Sequence, residues 1–310
     1  MSMDRREFIT ASSLGAAAVG VFTGAVYASE RADKVKVGMC DWNLGESCNP
    51  DLIPKAKEAH LEGIQVSVGR SPSSMSLRSP DVRKKYVEMG KQYGITFHSV
   101  AAGSILNSIP LASEPESAVY VIDAIEAAAA LGASNILMAF FGRGDLRYQD
   151  HRGDFRLLEE KPFKIYELDQ RGVDRVVAVL KQIVPRAEAL GVALGLENTI
   201  TAKQNLEIIE RVGSDIVQVY YDVGNSTSNG YDVPGEIRLL GNDRICEIHL
   251  KDSGTRVLGS PEGKVDFKAA AQACHDINYD KWFVLETSGR EKRFMEDTQA
   301  NVAFAKQTFS

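Results

Sequence analysis

Four residues with the chemistry of metal ligands stand at matching places in four short apolar runs. They are Glu197 in "GLENT", Asp222 in "VYYDVGN", His249 in "EIHLKD" and Glu286 in "VLETS". Each falls at the C-terminal end of a run that alternates like a β-strand. Gln218, Tyr220 and Asp222 alternate with Val219 and Tyr221; Ala193, Gly195 and Glu197 alternate with Leu194 and Leu196; Val284 and Glu286 alternate with Phe283 and Leu285. Successive strand side chains point to opposite faces. The apolar set therefore faces one way, and the set that ends in a ligand type faces the other. Three carboxylates brought to one place repel and raise one another's pKa. A divalent cation removes that conflict. Three oxygen donors and one imidazole suit Mn²⁺ first, with Mg²⁺, Co²⁺, Fe²⁺ or Zn²⁺ as alternatives. One strand-end carboxylate is ordinarily a hydrogen-bonded polar group; four on consecutive strands are a joint observation.

The elements that must position these residues alternate along the chain. Strands are predicted at 35–40, 63–68, 95–100, 135–141, 192–198, 216–223, 244–250 and 282–288. Between them lie patterns of helical period, such as "ESAVYVIDAIEAAAALG", closed by Gly132. Another is "RVVAVLKQIVPRAEALG", with Pro185 inside and Gly191 at its end. Strict strand–helix alternation implies a parallel sheet. Eight units over residues 35–308 predict an α/β fold, a single-domain (β/α)8 TIM barrel, with chemistry at the C-terminal strand ends. A doubly wound open sheet is the runner-up. Its Gly-rich first turn is missing from "CDWNLGESCNP", so no dinucleotide site is supported. Residues 142–167 form a long insertion after the fourth strand, expected to be a lid or specificity loop.

Of 310 residues, 44% are hydrophobic and 25% charged, ordinary for a globular chain. The net charge of −6 gives no footprint for nucleic acid. Cys40, Cys48, Cys246 and Cys274 include no C-x-x-C pair and make no disulfide framework. The N-terminus reads differently. Arg5-Arg6 and Phe8 precede an apolar run from Leu14 to Val26 and small residues near Ala28. That is the layout of a cleaved secretory signal, too short to span a bilayer, where about 20 apolar residues are needed. The arginine pair resembles the twin-arginine export motif. Residues 1–28 are therefore expected to engage the twin-arginine machinery and place the protein in the periplasm or outside the cell.

The four ligand motifs, with "EGKVDF" after the histidine, resemble the xylose isomerase-like TIM barrel superfamily. The match is best to its sugar phosphate isomerase/epimerase branch, which includes ketose 3-epimerases. The resemblance spans roughly residues 35–308. It implies one metal ion held by Glu197, Asp222, His249 and Glu286, with Glu197 and Glu286 exchanging a substrate proton. A cation chelated by a carbonyl and its neighbouring hydroxyl acidifies the C–H between them. A glutamate on each face of the enediolate then inverts or isomerises the centre. Two positions depart from the epimerase pattern. Asn225 stands where those enzymes carry a substrate-binding histidine, and Gln65 where many members end strand two in glutamate.

Further candidate contacts to a carbohydrate follow from position. Lys251 shares the inward parity of His249; it can bind a sugar oxygen, stabilise developing charge or salt-bridge to a mouth carboxylate. Asp252 points the other way and is expected to brace the next loop. His98, read as the end of strand three, is a sugar contact or a hydrogen-bonded core histidine. Arg256 either reaches the substrate or stays solvated, and Trp42 stacks on a sugar or plugs the barrel. His60 and His275 fall on helices, and His151 lies in the long loop.

Metal-dependent sugar isomerase or epimerase is thus the leading expectation. A lyase that cleaves 3-keto-glycosides through the same acidified C–H is the first alternative. A non-catalytic sugar-binding protein is the second. Apurinic-site endonucleases share the superfamily, but five histidines, an acidic balance and an export signal argue against that class. The oligomeric state is left open, a homo-oligomer included.

Overall fold

The computed structural model describes residues 35–290 and 292–310; the twin-arginine reading of residues 1–28 lies outside them. The strands are β1 (Lys36–Cys40), β2 (Gly63–Ser67), β3 (Thr96–Ala101) and β4 (Asn135–Ala139), then β7 (Ala193–Glu197), β8 (Val217–Asp222), β9 (Ile245–Leu250) and β10 (Trp282–Leu285). They form a closed parallel barrel in the order β1-β10-β9-β8-β7-β4-β3-β2. Helices alternate with these strands, so the (β/α)8 architecture read from the sequence is the one observed. The helices Ala118–Leu131 and Gln170–Leu190 end on Gly132 and Gly191 as predicted, and Pro185 lies within the second.

Alternation sorts the side chains as the strand patterns require. Val219, Tyr221, Leu194, Leu196, Phe283 and Leu285 join the large core between strands and helices. Burying each such side chain stabilises the fold by about 1.5–3 kcal/mol. Cys40, Leu137, Tyr220, Cys246 and Val284 form a smaller cluster inside the barrel. The interior also holds a polar layer, including Gln65, His98, Ser99, Asn135, Glu247 and His249, all buried.

A register shift makes that layer possible. Ile64 pairs with Phe97 and Gln65 with Ser99, leaving His98 as the extra residue of a β-bulge. His98 and Ser99 consequently both meet Glu247. Gly38 leaves room for the imidazole, since a Cβ there would sit 2.3 Å from His98 Nε2. The ring stacks on Trp282 with centroids 4.7 Å apart.

The 142–167 segment is more ordered than a plain loop. β5 (Leu157–Glu159) and β6 (Ile165–Tyr166) pair as a small antiparallel hairpin. Arg147 grips Asp145 through two bonds of 3.0 and 2.8 Å and lies over Phe155. Asp145 accepts from Thr199 Oγ1, and Lys164 N donates to Gly230 O. The insertion is thereby fastened to the segments that follow β7 and β8.

Candidate metal centre and cavity

The four strand-end residues converge. Glu197 and Asp222 close β7 and β8, His249 lies near the end of β9, and Glu286 follows β10 directly. Asp222 and His249 are register partners. One potential ligand atom from each lies within 4.8 Å of all the others. His249 Nδ1 is 3.2 Å from Glu197, 3.4 Å from Glu286 and 3.7 Å from Asp222. Asp222 caps the helix Val223–Asn229, its Oδ1 accepting from Asn225 N at 2.7 Å. Its buried Oδ2 takes no hydrogen bond. Lys251 Nζ compensates that oxygen by charge, 2.9 Å away, and stands 2.6 Å from Glu286 Oε2. Gly224 allows the approach, because a Cβ there would meet Lys251 Cγ at 2.6 Å.

Charge dominates this cluster. Burial works to raise the Asp222 carboxyl, but Lys251 and His249 override it and hold the group down to about 2. Burial raises Glu286, with Glu197 adding to the rise and His249 and Lys251 opposing it. Burial favours neutral His249, while hydrogen bonds to the carboxylates of Asp222 and Glu197 push its pKa well above the ordinary value. Burial also pushes the Cys40 thiol up to about 12, so it remains a thiol. Three carboxylates with one lysine leave a deficit of positive charge.

A hydrogen-bond chain fixes which imidazole nitrogen faces that deficit. Ser99 Oγ donates to Glu247 Oε2 at 3.0 Å and accepts from Gln65 Nε2 at 3.0 Å. Gln65 therefore turns Oε1 toward His249 Nε2, 3.1 Å away. An amide oxygen accepts only, so Nε2 carries the proton and donates. Nδ1 faces three carboxylate oxygens, bonded to Glu197 Oε1 at 3.2 Å, and a bound divalent cation would take the place of its proton there. An imidazole acceptor and three anions in one shell fit a divalent cation, with borderline N and hard O donors. The buried Oδ2 of Asp222, whose close partner is Lys251 Nζ at 2.9 Å, fits it as well.

Beside the cluster lies a cavity of about 380 Å³. Glu197, Glu286, Lys251 and Asn225 line one side. Trp42, Ser47, Ser67, Ala101, Gly103, Ser104, Asn107, Leu137, Ala139 and Phe141 line the rest. The sequence reading thus placed Lys251 and Asn225 in the cavity wall, and Trp42 joins them.

Three other expected contacts are not brought there. His98 sits in mid-strand, not at an end, because β3 continues to Ala101; its Nδ1 bonds Glu247 at 2.9 Å. Gln65 is fully buried beneath His249, because β2 extends two residues further to Ser67. Arg256 donates to Gly289 O at 2.9 Å and is not a lining residue. The sequence reading missed Ser67, Ser104, Asn107 and Phe141. Period-two spacing from Gln65 pointed to Ser67, whereas the bulge hid the true end of β3. Asp252 accepts from Lys264 N and Val265 N, the loop brace that its parity implied. All four cysteines are free and buried.

A closed parallel barrel with candidate oxygen and nitrogen ligands gathered at its C-terminal mouth defines a class of protein. The chain belongs to the xylose isomerase-like TIM barrel family, whose model matches residues 53–308. Among its relatives is SgbU of Escherichia coli (strain K12), whose name assigns it provisionally as an L-ribulose-5-phosphate 3-epimerase. The two are 28% identical over 258 residues, covering 76% of this chain and 82% of SgbU. A 2-epi-5-epi-valiolone 7-phosphate 2-epimerase of Actinoplanes sp. (strain SE50/110) is 25% identical over 239 residues, 74% of this chain and 79% of its own. D-psicose 3-epimerase from Clostridium cellulolyticum H10, solved with D-tagatose, superposes with a TM-score of 0.70 at 16% identity. That match covers 89% of this chain and all of that one.

Proposed function

We propose that this protein is a divalent-metal-dependent epimerase or isomerase. Its substrate is a ketose or related carbohydrate, from which a proton is removed and then returned beside a carbonyl. The observation that carries the reading is double duty at the mouth: Glu197 and Glu286 both line the cavity and both belong to the ligand cluster. Both curated relatives bear epimerase names.

Glu197, Asp222, Glu286 and His249 Nδ1 would hold the ion. When bound, it supplies Lewis acidity to a substrate carbonyl and adjacent hydroxyl, lowering the pKa of the C–H between them. The side chains do the rest. Glu197 and Glu286 come from strands separated by β8 and β9, so they approach a bound sugar from two directions. One removes the proton and the other returns one to the opposite face, inverting the centre. Lys251 places positive charge where oxygen charge develops. Its bond to Glu286 also orients that carboxylate.

The test is Mn²⁺-loaded protein in D₂O with a panel of ketoses and 3-keto-glycosides. The expected result is an epimer or isomer labelled at the exchanged carbon, with turnover abolished by chelation and restored by metal. Undiminished turnover after exhaustive chelation sinks the reading. Release of an aglycone replaces it with the lyase reading.

We propose separately that residues 1–28 export the protein by the twin-arginine route. The pair Arg5→Lys and Arg6→Lys should then retain it in the cytoplasm, as read by cell fractionation.

A further inference from the structure

We infer that the substrate is an uncharged, polyhydroxylated sugar, not a sugar phosphate. The inference rests on the epimerase reading and concerns the part of the substrate remote from the reacting carbon.

Charge is the first argument. Glu197, Asp222 and Glu286 contribute three negative charges; Lys251 and a divalent ion contribute three positive ones. The occupied mouth is then neutral, with no surplus for a phosphate dianion. Among the described residues, Lys251 is the one cation lining the cavity, and it is held by Asp222 and Glu286 at the metal end. The facing wall comes from β2, β3, β4 and their following loops, on the other half of the ring of strands. Its polar members include Ser67, Ser104 and Asn107, none of them charged. Arg70, near the rim, pairs with Glu46 and donates to Ser47 O at 3.4 Å; it is not a lining residue.

Proton placement is the second argument. Ser67 Oγ donates to Asp41 Oδ1 at 2.5 Å. Asp41 is buried and also accepts from Ser67 N and Cys48 N, which locks the arrangement. Ser104 Oγ donates to Gly69 O at 3.0 Å. Each hydroxyl has one proton, so toward the cavity both offer lone pairs only. A sugar hydroxyl can donate to them. A phosphate dianion has no proton to give and would oppose acceptor to acceptor, with desolvated charge left unpaired. Ser67 and Ser104 thus present acceptors to O–H donors, and Asn107, a further polar side chain of this wall, is uncharged.

The test compares kcat/KM for ketopentoses and ketohexoses with those of their terminal phosphate esters, on the full chain loaded with Mn²⁺. L-Ribulose and L-ribulose 5-phosphate form the first pair. The free sugar should be preferred by about tenfold or more. Ser67→Ala should raise KM for the free sugar several-fold with a smaller change in kcat. Preference for the ester overturns the inference while leaving the epimerase reading standing. Turnover of neither class by metal-loaded protein overturns both.

Discussion

Two glutamate–histidine clusters lie inside this barrel, one above the other, and they have opposite characters. In the lower cluster, Glu247 accepts from His98, Ser99 and Tyr220 at Oε2 and from Asn135 at Oε1. Burial would raise this carboxyl, but His98 and the other donors hold it below its ordinary value. In the upper cluster, three carboxylates share one imidazole and one lysine, and Asp222 Oδ2 takes no hydrogen bond. Residue types are nearly the same. What differs is the ratio of donors to acceptors. A carboxylate whose donors are all supplied is a structural device; three carboxylates with few donors are a candidate cation site. Gln65 connects the two, bonded to Ser99 below and His249 above.

The largest effect that sharpens this contrast is on turnover. Glu197→Gln or Glu286→Gln should lower kcat by about 10²–10⁴-fold, because each removes a proton-transfer group. Steady-state kinetics with circular dichroism checks that the fold persists. Stability should divide the clusters next. Glu247→Ala should destabilise the protein by about 3–5 kcal/mol, since it strands buried partners. Glu197→Gln in metal-free protein should be neutral or stabilising, because it relieves like-charge repulsion. Urea unfolding of both variants measures this, and equal destabilisation would erase the contrast.

A smaller effect is expected at the connection. Gln65→Leu should weaken Mn²⁺ binding about 10–100-fold in calorimetry, as loss of a ligand's supporting hydrogen bond commonly does. Binding unchanged by that substitution would show that Gln65 does not set the imidazole.

Glu236 provides a last test and a third point on the scale. It is buried with two neutral donors, Ala202 N and Tyr221 OH. Burial, unopposed by a cation, lifts it from 4.5 to about 7. The folded protein keeps a proton that the unfolded chain has released across that window. Stability should therefore fall as pH rises from about 4.5 to about 7, by at most about 1.4 kcal/mol per unit. Glu236→Gln should flatten this slope in pH-dependent melts.

The candidate quartet was legible because period-two alternation and strand ends are local properties. Glu197, Asp222, His249 and Glu286 each sit within a few residues of the pattern that orients them. Lys251 and Asn225 were legible for the same reason. His98 and Gln65 were misplaced for a different reason. The register shift at Ile64/Gln65, which brings His98 and Ser99 both onto Glu247, depends on the neighbouring strand. Arg256 lies in a loop whose course no periodicity encodes.

The sequence by itself determined the eight strand–helix units, the inward parity of the strand-end ligands and the family, because alternation and turn chemistry act over a few residues. Only the tertiary structure decided which buried histidine meets a glutamate with four donors and which meets three carboxylates sharing one lysine. Only it turned the protons of Ser67 and Ser104 away from the cavity. Hydrogen-bond satisfaction is a count over atoms far apart in the chain, and closing the barrel is what brings those atoms together.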